Sequence, residues 1–194
     1  MNEFNTFSEL VKTSRSYRRF YEDVNISYDF LKSLVEHSRY CPSGANAQAL
    51  KFKIVNDVKE RDTLFKSLHW AAALPDWDGP EKSERPSAYI MILTDTSIGK
   101  NKAVDVGICA QTIMLGAASH GFGGCMLASI DRPQIIKDFA IDSQRYTLDL
   151  VLALGKPKED VRIINLDEET GTKYFRDENQ VHYVPKRLLK DIIL

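Results

Sequence analysis

Seven consecutive residues, Ser14-Arg15-Ser16-Tyr17-Arg18-Arg19-Phe20, carry three guanidiniums and two serine hydroxyls. Guanidinium forks match phosphate oxygens two at a time and short hydroxyls fill the oxygens that remain, so the cluster is chemically a small-anion receptor. A basic stretch is more often a solvated face with no ligand, and the assignment therefore depends on the rest of the chain. Cys41-Pro42-Ser43-Gly44-Ala45-Asn46-Ala47-Gln48 adds hydroxyl and amide groups in what its Pro, Gly and small polar residues mark as a loop. Gly121-Phe122-Gly123-Gly124 is glycine-rich, and Pro185-Lys186-Arg187 supplies two more cations near the far end.

Other chemistries find less support. The four histidines, His37, His69, His120 and His182, are far apart with no pair at a ligand spacing, so no metal site is expected. Cys41 has no partner base that the sequence can identify, which makes a packed or loop-lining thiol its expected role. The glycines of 121–124 follow a helical segment and precede a strand, the reverse of the strand–glycine–helix order of a dinucleotide fingerprint. Taken alone they read as a helix stop. A net charge of -1 lacks the positive field that nucleic-acid binding needs.

The elements that must position these clusters can be read from periodicity. A chain of 194 residues with 43% hydrophobic content is expected to form one domain spanning 1–194 around a substantial core. Phe4, Phe7, Leu10 and Val11 predict a first helix that delivers the chain into the basic cluster. Ser27 caps a predicted helix carrying Phe30, Leu31, Leu34 and Val35, which runs to about Arg39. Strands are expected at 52–55, at 87–94 and at 146–154, the last stopping at Gly155-Lys156-Pro157, and a further strand at 125–128. Helices are expected at 58–68, at 101–119 with a stripe of Ala103, Gly107, Ala110 and Ala117, and after Asp131 with Pro133. Residues 161–184 read as irregular, and a last helix is expected after Pro185 with Leu188, Leu189, Ile192 and Ile193. This order predicts an α+β layer architecture.

The run 104–118 is interrupted by Asp105, Gln111 and Thr112 and is short for a bilayer, so no membrane association is expected. Three scattered cysteines and an N-terminus without the n- and h-regions of a signal peptide lead to an expected cytoplasmic location.

Taken together, Arg15-Ser16-Tyr17-Arg18-Arg19-Phe20, Pro42-Ser43-Gly44-Ala45-Asn46-Ala47-Gln48, Gly121-Phe122-Gly123-Gly124-Cys125 and Pro185-Lys186-Arg187-Leu188 resemble, in order and spacing, the nitroreductase family of FMN-dependent oxidoreductases. The resemblance implies a three-layer fold with a central mixed β-sheet flanked by helices, and a C-terminal extension toward the partner subunit of a homodimer. It implies that Arg15, Ser16, Arg18 and Arg187 hold the FMN phosphate and ribityl chain, with Lys186 as an alternate. Arg18 is also placed by resemblance near the pyrimidine edge of the flavin. Pro42, Ser43, Asn46 and Gln48 are implied to reach the flavin across the subunit interface. Met126, Leu127, Ala128 and Ser129 match the segment lying against the ring system, from which a backbone N–H reaches flavin N5. Ser14 stands where many relatives have an arginine, so one phosphate contact is expected from another residue.

The implied reaction needs no side-chain acid or base, because the chemistry is at flavin N5: NAD(P)H donates hydride, leaves, and an electron-poor small molecule such as a nitroaromatic or quinone takes its place. Dehalogenation or activated-alkene reduction, and a flavin-binding sensor or carrier without turnover, are the alternatives. Trp70 and Trp77 are candidate linings for the acceptor pocket, against their more common role as packing anchors.

Overall fold

The computed structural model describes residues 3–74, 76–100, 102–167 and 171–194. Helix α1 (Glu3–Thr13) leads into β1 (Phe20–Tyr21) and α2 (Tyr28–Ser38), whose N-cap Ser27 accepts from the Phe30 N–H as its sequence position predicts. A 3-10 turn (Gly44–Asn46), β2 (Leu50–Val55) and α3 (Val58–Phe65) follow. Then come β3 (Ala88–Asp95), α4 (Ala103–Ser119), β4 (Gly123–Leu127), α5 (Arg132–Asp138) and β5 (Tyr146–Pro157).

In the principal sheet β5 pairs antiparallel with β3, β4 and β1, and β3 pairs with β2. A parallel bridge between Ser16 and Gly124 adds a mixed element at its edge. Because side chains alternate across a strand, β3 sends Tyr89, Met91 and Leu93 to one face and Ala88, Ile90 and Ile92 to the other. The first face is covered by Leu64 of α3 and Ile135 of α5. The second is covered by Leu31 and Leu34 of α2 and by Val106, Ala110, Ile113 and Ala117 of α4. Three layers result, each buried aliphatic side chain contributing on the order of 1.5–3 kcal/mol.

The small-residue stripe of α4 departs from expectation. Ala110 and Ala117 are buried, but Ala103 and Gly107 are exposed and a Cβ on Gly107 would meet nothing within 4 Å. The close approach of α2 falls instead at Gly116, where a Cβ would lie 2.8 Å from Leu34 Cδ2. Gly121, with φ +71°, ends the helix in the left-handed region.

The segment expected to be irregular contains β6 (Val161–Asn165), β7 (Phe175–Arg176) and β8 (His182–Lys186), a small sheet in which β6 and β8 run parallel and β7 and β8 antiparallel. Its strands are only two to five residues long and carry no regular alternation of apolar and polar residues, so periodicity does not reveal them. The expected final helix is reduced to one 3-10 turn, Leu189–Asp191, and Leu189, Ile192 and Ile193 are exposed. So short a helix has little stability unless its apolar face is buried, and nothing among the described residues buries it. No described helix is long and apolar enough to cross a membrane.

Candidate functional site

The basic cluster is fixed where the chain leaves α1 and runs beside the start of β4. The Arg15 guanidinium donates to the Val11 carbonyl at 2.8 Å, which holds its stem along the last turn of α1. Ser16 bridges Gly124, and the Tyr17 N–H donates to the Gly124 carbonyl at 2.9 Å. A Cβ on Gly124 would stand 2.1 Å from the Ala153 carbonyl oxygen, so only glycine lets β4 lie between β5 and this cluster. Gly123 and Gly124 are thus strand residues chosen for close approach, and Gly121 alone performs the helix stop.

A cleft of about 250 Å³ opens beside them, lined by Ser14, Arg15, Ser16, Gln111, Met114, Met126 and Lys186. It has two cations, three further polar side chains and no carboxylate. Arg15 Nε is buried without a hydrogen-bond partner. An orphaned guanidinium N–H beside an anion-free, cation-lined cleft is what a phosphate would satisfy, and Met114 and Met126 offer an adaptable apolar bed beside it. The donor set therefore fits a phosphorylated cofactor with a polyol chain and a flat ring.

Ser14, Arg15, Ser16, Met126 and Lys186 meet in this cleft, while Arg187 is exposed and does not line it. Arg18 turns away: its guanidinium donates to the Ser16 carbonyl at 3.2 Å and stacks 4.7 Å from the centre of the Tyr174 ring. Leu127 points into the core opposite Met126, and Cys125 is buried with it, its thiol pushed up by burial. Ala128 and Ser129 are exposed just beyond β4, with the Ser129 carbonyl accepting from His69.

Pro42, Ser43 and Gln48 line a different cavity of about 160 Å³ with Arg39, Cys41, Asp105 and Cys109. This loop is strained: Ala45, Asn46 and Gln48 have φ of 54°, 51° and 51°. Non-glycine residues held there cost of order 1 kcal/mol or more each, and such strain clusters at binding sites. It is held by the buried Asp105, which accepts from the Gly44 N–H at 3.0 Å, and by the Ser43 hydroxyl, which accepts from the Gln48 N–H at 3.2 Å. Within one chain the two sets of predicted residues are not brought together, since they line separate cavities of which one takes Gln111 and Met114 from α4 and the other Asp105 and Cys109.

The tryptophans do not line either cavity. Trp70 is buried in the core against Phe65, and Trp77 lies under the guanidiniums of Arg19 and Arg176. Within one chain both pack against neighbouring side chains, and neither cavity carries their assignment to an acceptor pocket.

Sequence reasoning missed Gln111 and Met114 as cleft residues, although a lone glutamine in an apolar helix was a usable signal. It also missed Glu159. This carboxylate is buried, accepts from the Arg18 backbone N–H and from Arg176 Nη2 at 3.0 Å, and has His182 Nδ1 at 3.6 Å, beyond hydrogen-bond reach but within ion-pair range. Burial pushes its pKa up, yet the His182, Arg18 and Arg176 interactions outweigh that and leave it below the ordinary carboxylate value. Arg176 is lowered by burial against the pull of Glu159, but a guanidinium stays charged regardless. Nothing in the local sequence around Glu159 announces the role, because its partners arrive from 17 and 23 residues further on.

The fold is of α+β class, three layers about a sheet whose named strand pairs are all antiparallel, so the expected mixed character is confined to the Ser16–Gly124 bridge, and the cation-lined cleft lies beside β4. The profile of the nitroreductase family matches residues 11–156, and the chain belongs to that family. YdgI of Bacillus subtilis (strain 168), provisionally named an NAD(P)H nitroreductase, is 22% identical in an alignment that covers 82% of this chain and 92% of that protein. The CLA biosynthesis enone reductase of Lactiplantibacillus plantarum is 21% identical in an alignment that covers 88% of this chain and 94% of the other. Among solved structures, a provisionally assigned nitroreductase from Exiguobacterium sibiricum 255-15 in complex with FMN superposes with a TM-score of 0.69 at 19% identity, covering 83% of this chain and 93% of that one.

Proposed function

We propose that this chain is an FMN-dependent oxidoreductase that takes reducing equivalents from NAD(P)H and passes them to an electron-poor small molecule, a nitroaromatic, a quinone or a similar acceptor. The observation that carries the reading is the cleft lined by Arg15 and Lys186 with Ser14, Ser16 and Gln111 and no carboxylate among its lining residues. Family membership and the FMN complex of the Exiguobacterium sibiricum relative support the choice of cofactor.

When bound, FMN supplies hydride acceptance at N5 and onward transfer in a two-step cycle in which the oxidised nucleotide leaves before the acceptor enters. The chain supplies the rest. Arg15 and Lys186 neutralise the phosphate, Ser14 and Ser16 donate to its remaining oxygens, and Gln111 faces the ribityl hydroxyls. Lys186 takes the contact that many relatives give to an arginine at position 14. Met114 and Met126 bed the ring, and the backbone N–H groups of Ala128 and Ser129, which donate to no described residue, are available to N5.

The strained 42–48 loop, in this reading, completes the pocket of a second subunit in a cytoplasmic homodimer. Exposed Phe4, Phe7, Val104, Leu189, Ile192 and Ile193 support a surface that another copy covers. Activated-alkene reduction is the second reading, favoured by the name of the Lactiplantibacillus plantarum relative.

Anaerobic mixing of the flavin-loaded protein with NADH or NADPH tests the proposal. The flavin absorption should bleach and return on adding a nitroaromatic or quinone. Protein that fails to gain a flavin band on adding FMN, or a flavin that neither nucleotide bleaches, would overturn it. Light scattering should give a dimer, and a monomer that retains FMN would contradict the two-subunit pocket.

A further inference from the structure

Two of the three cysteines face one another across the α2–α4 contact. Cys41 lies just past α2 and Cys109 lies on α4. Cys41 Sγ is 3.2 Å from Thr112 Oγ1, and Cys109 Sγ is 3.9 Å from the Ser38 carbonyl. Thr112 is three residues beyond Cys109 and Ser38 is three before Cys41, so each thiol sits against the other's own segment. Both line the same cavity of about 160 Å³, room for a molecule larger than water.

We propose that Cys41 and Cys109 are an oxidation site, converted by hydrogen peroxide into an intramolecular disulfide that ties the end of α2 to α4. The roles of the thiols differ. Cys41 is half-buried and reached from the cavity, whereas Cys109 is 6% exposed and its thiol is pushed up to about 12, by burial first and by the neighbouring Cys41 second. Cys109 therefore keeps its proton and cannot start the reaction. The Cys41 thiolate attacks one peroxide oxygen, the O–O bond breaks, and the leaving oxygen takes a proton as water, leaving a sulfenic acid on Cys41. The Cys109 sulfur then attacks the Cys41 sulfur, the S–O bond breaks, and hydroxide leaves with the Cys109 proton as a second water. Two thiols lose two electrons and one peroxide gains them.

Disulfide geometry is narrow, and the adjustment it needs falls on Cys41, which occupies a bend beyond the last helical turn. Cys125 cannot compete, being buried on the other face of the sheet. Neither thiol lines the cation-lined cleft, although their cavity shares Pro42, Ser43 and Gln48 with the loop that the proposed function places at a second subunit's pocket; a thiol count on FMN-free protein keeps the two readings separable.

The test treats the protein as purified with stoichiometric hydrogen peroxide, then counts thiols after denaturation and maps peptides without reduction. Trypsin leaves Cys109 and Cys125 on one peptide, so chymotryptic cleavage at Phe122 is needed to separate them. The expected result is a fall from three thiols to one, a Cys41–Cys109 linked peptide, and recovery with dithiothreitol. Cys109→Ser should stop at a dimedone-trappable sulfenic acid on Cys41, and Cys41→Ser should keep both of its thiols. Three surviving thiols in the wild type, a sulfinic acid on Cys41 with no linked peptide, or a disulfide between chains would overturn the proposal. Should Cys109→Ser fail to fold, the wild-type map and Cys41→Ser decide it.

Discussion

Replacing Glu159 by alanine should cost more stability than any other single change near the cleft. Its side chain is 2% exposed and that of its partner Arg176 8%, so neither charge can turn to water when the other is removed. Stranding a buried guanidinium in this way costs roughly 3–5 kcal/mol. For a chain of 194 residues each kcal/mol moves Tm by about 2–4 °C, which places the drop at roughly 6–20 °C. The folded Glu159 carboxyl lies below its ordinary value: burial raises it, but His182, the Arg18 N–H and Arg176 lower it further. Its stabilisation is therefore fully present above the unfolded carboxylate pKa and is lost as pH falls through the depressed folded value. Calorimetry at neutral pH and down the acid side should show the large drop in Glu159→Ala. Glu159→Gln, which keeps an acceptor for the Arg18 N–H but carries no charge, should lose part of the acid-side dependence. A Tm for Glu159→Ala within about 2 °C of wild type at neutral pH would refute the reasoning, since exposed pairs cost that little.

Three further outcomes are expected. Gly124→Ala puts a Cβ 2.1 Å from the Ala153 carbonyl and should cost roughly 1–3 kcal/mol or more while loosening the basic cluster, read as a lower urea midpoint together with weaker FMN retention. Asp95, held to about 2 by Arg145 hydrogen bonds first and by Ser97, should contribute stability that is lost as pH falls from about 4 toward 2. Asp95→Asn should flatten that part of the acid-unfolding curve without shifting its alkaline side. Ser27→Ala removes the N-cap of α2 and should cost about 1 kcal/mol by chemical denaturation.

What the sequence made legible was whatever is decided locally or by near-complete burial. Ser27 and Asp131 announced their helices because a cap is made within three residues of itself. β3 and β5 were visible because β3 is buried throughout and β5 carries a continuous buried run from Val151 to Gly155. The small sheet was hidden because its strands owe their order to Glu159, His182 and Tyr174 meeting beneath them, a non-local cluster with no period. The last helix was a false reading for the opposite reason: Leu188, Leu189, Ile192 and Ile193 have helical spacing, but Leu188 is only half-buried and Leu189, Ile192 and Ile193 have nothing among the described residues that buries them. Of the residues lining the cleft, Arg15, Ser16 and Met126 were named from resemblance in register, while that Lys186 and not Arg187 lines it depends on how β8 presents its end there, which a two-residue cation motif cannot specify. Gly123 and Gly124 read as punctuation because their real constraint, the proximity of Ala153 and Tyr17, lies far along the chain.

The central claim is that the cleft at Arg15 and Lys186 holds a phosphorylated flavin by its phosphate. Titrating flavin-free protein with FMN and with riboflavin, followed by quenching of flavin fluorescence, tests it directly, because the two ligands differ only in the phosphate. Charge-assisted contacts from the two cations are worth about 1.5 kcal/mol or more each, so FMN should bind on the order of 100-fold tighter than riboflavin. That difference should collapse in Arg15→Ala/Lys186→Ala. Equal affinity for both ligands in the wild type, or an FMN preference that survives the double substitution, would contradict the account.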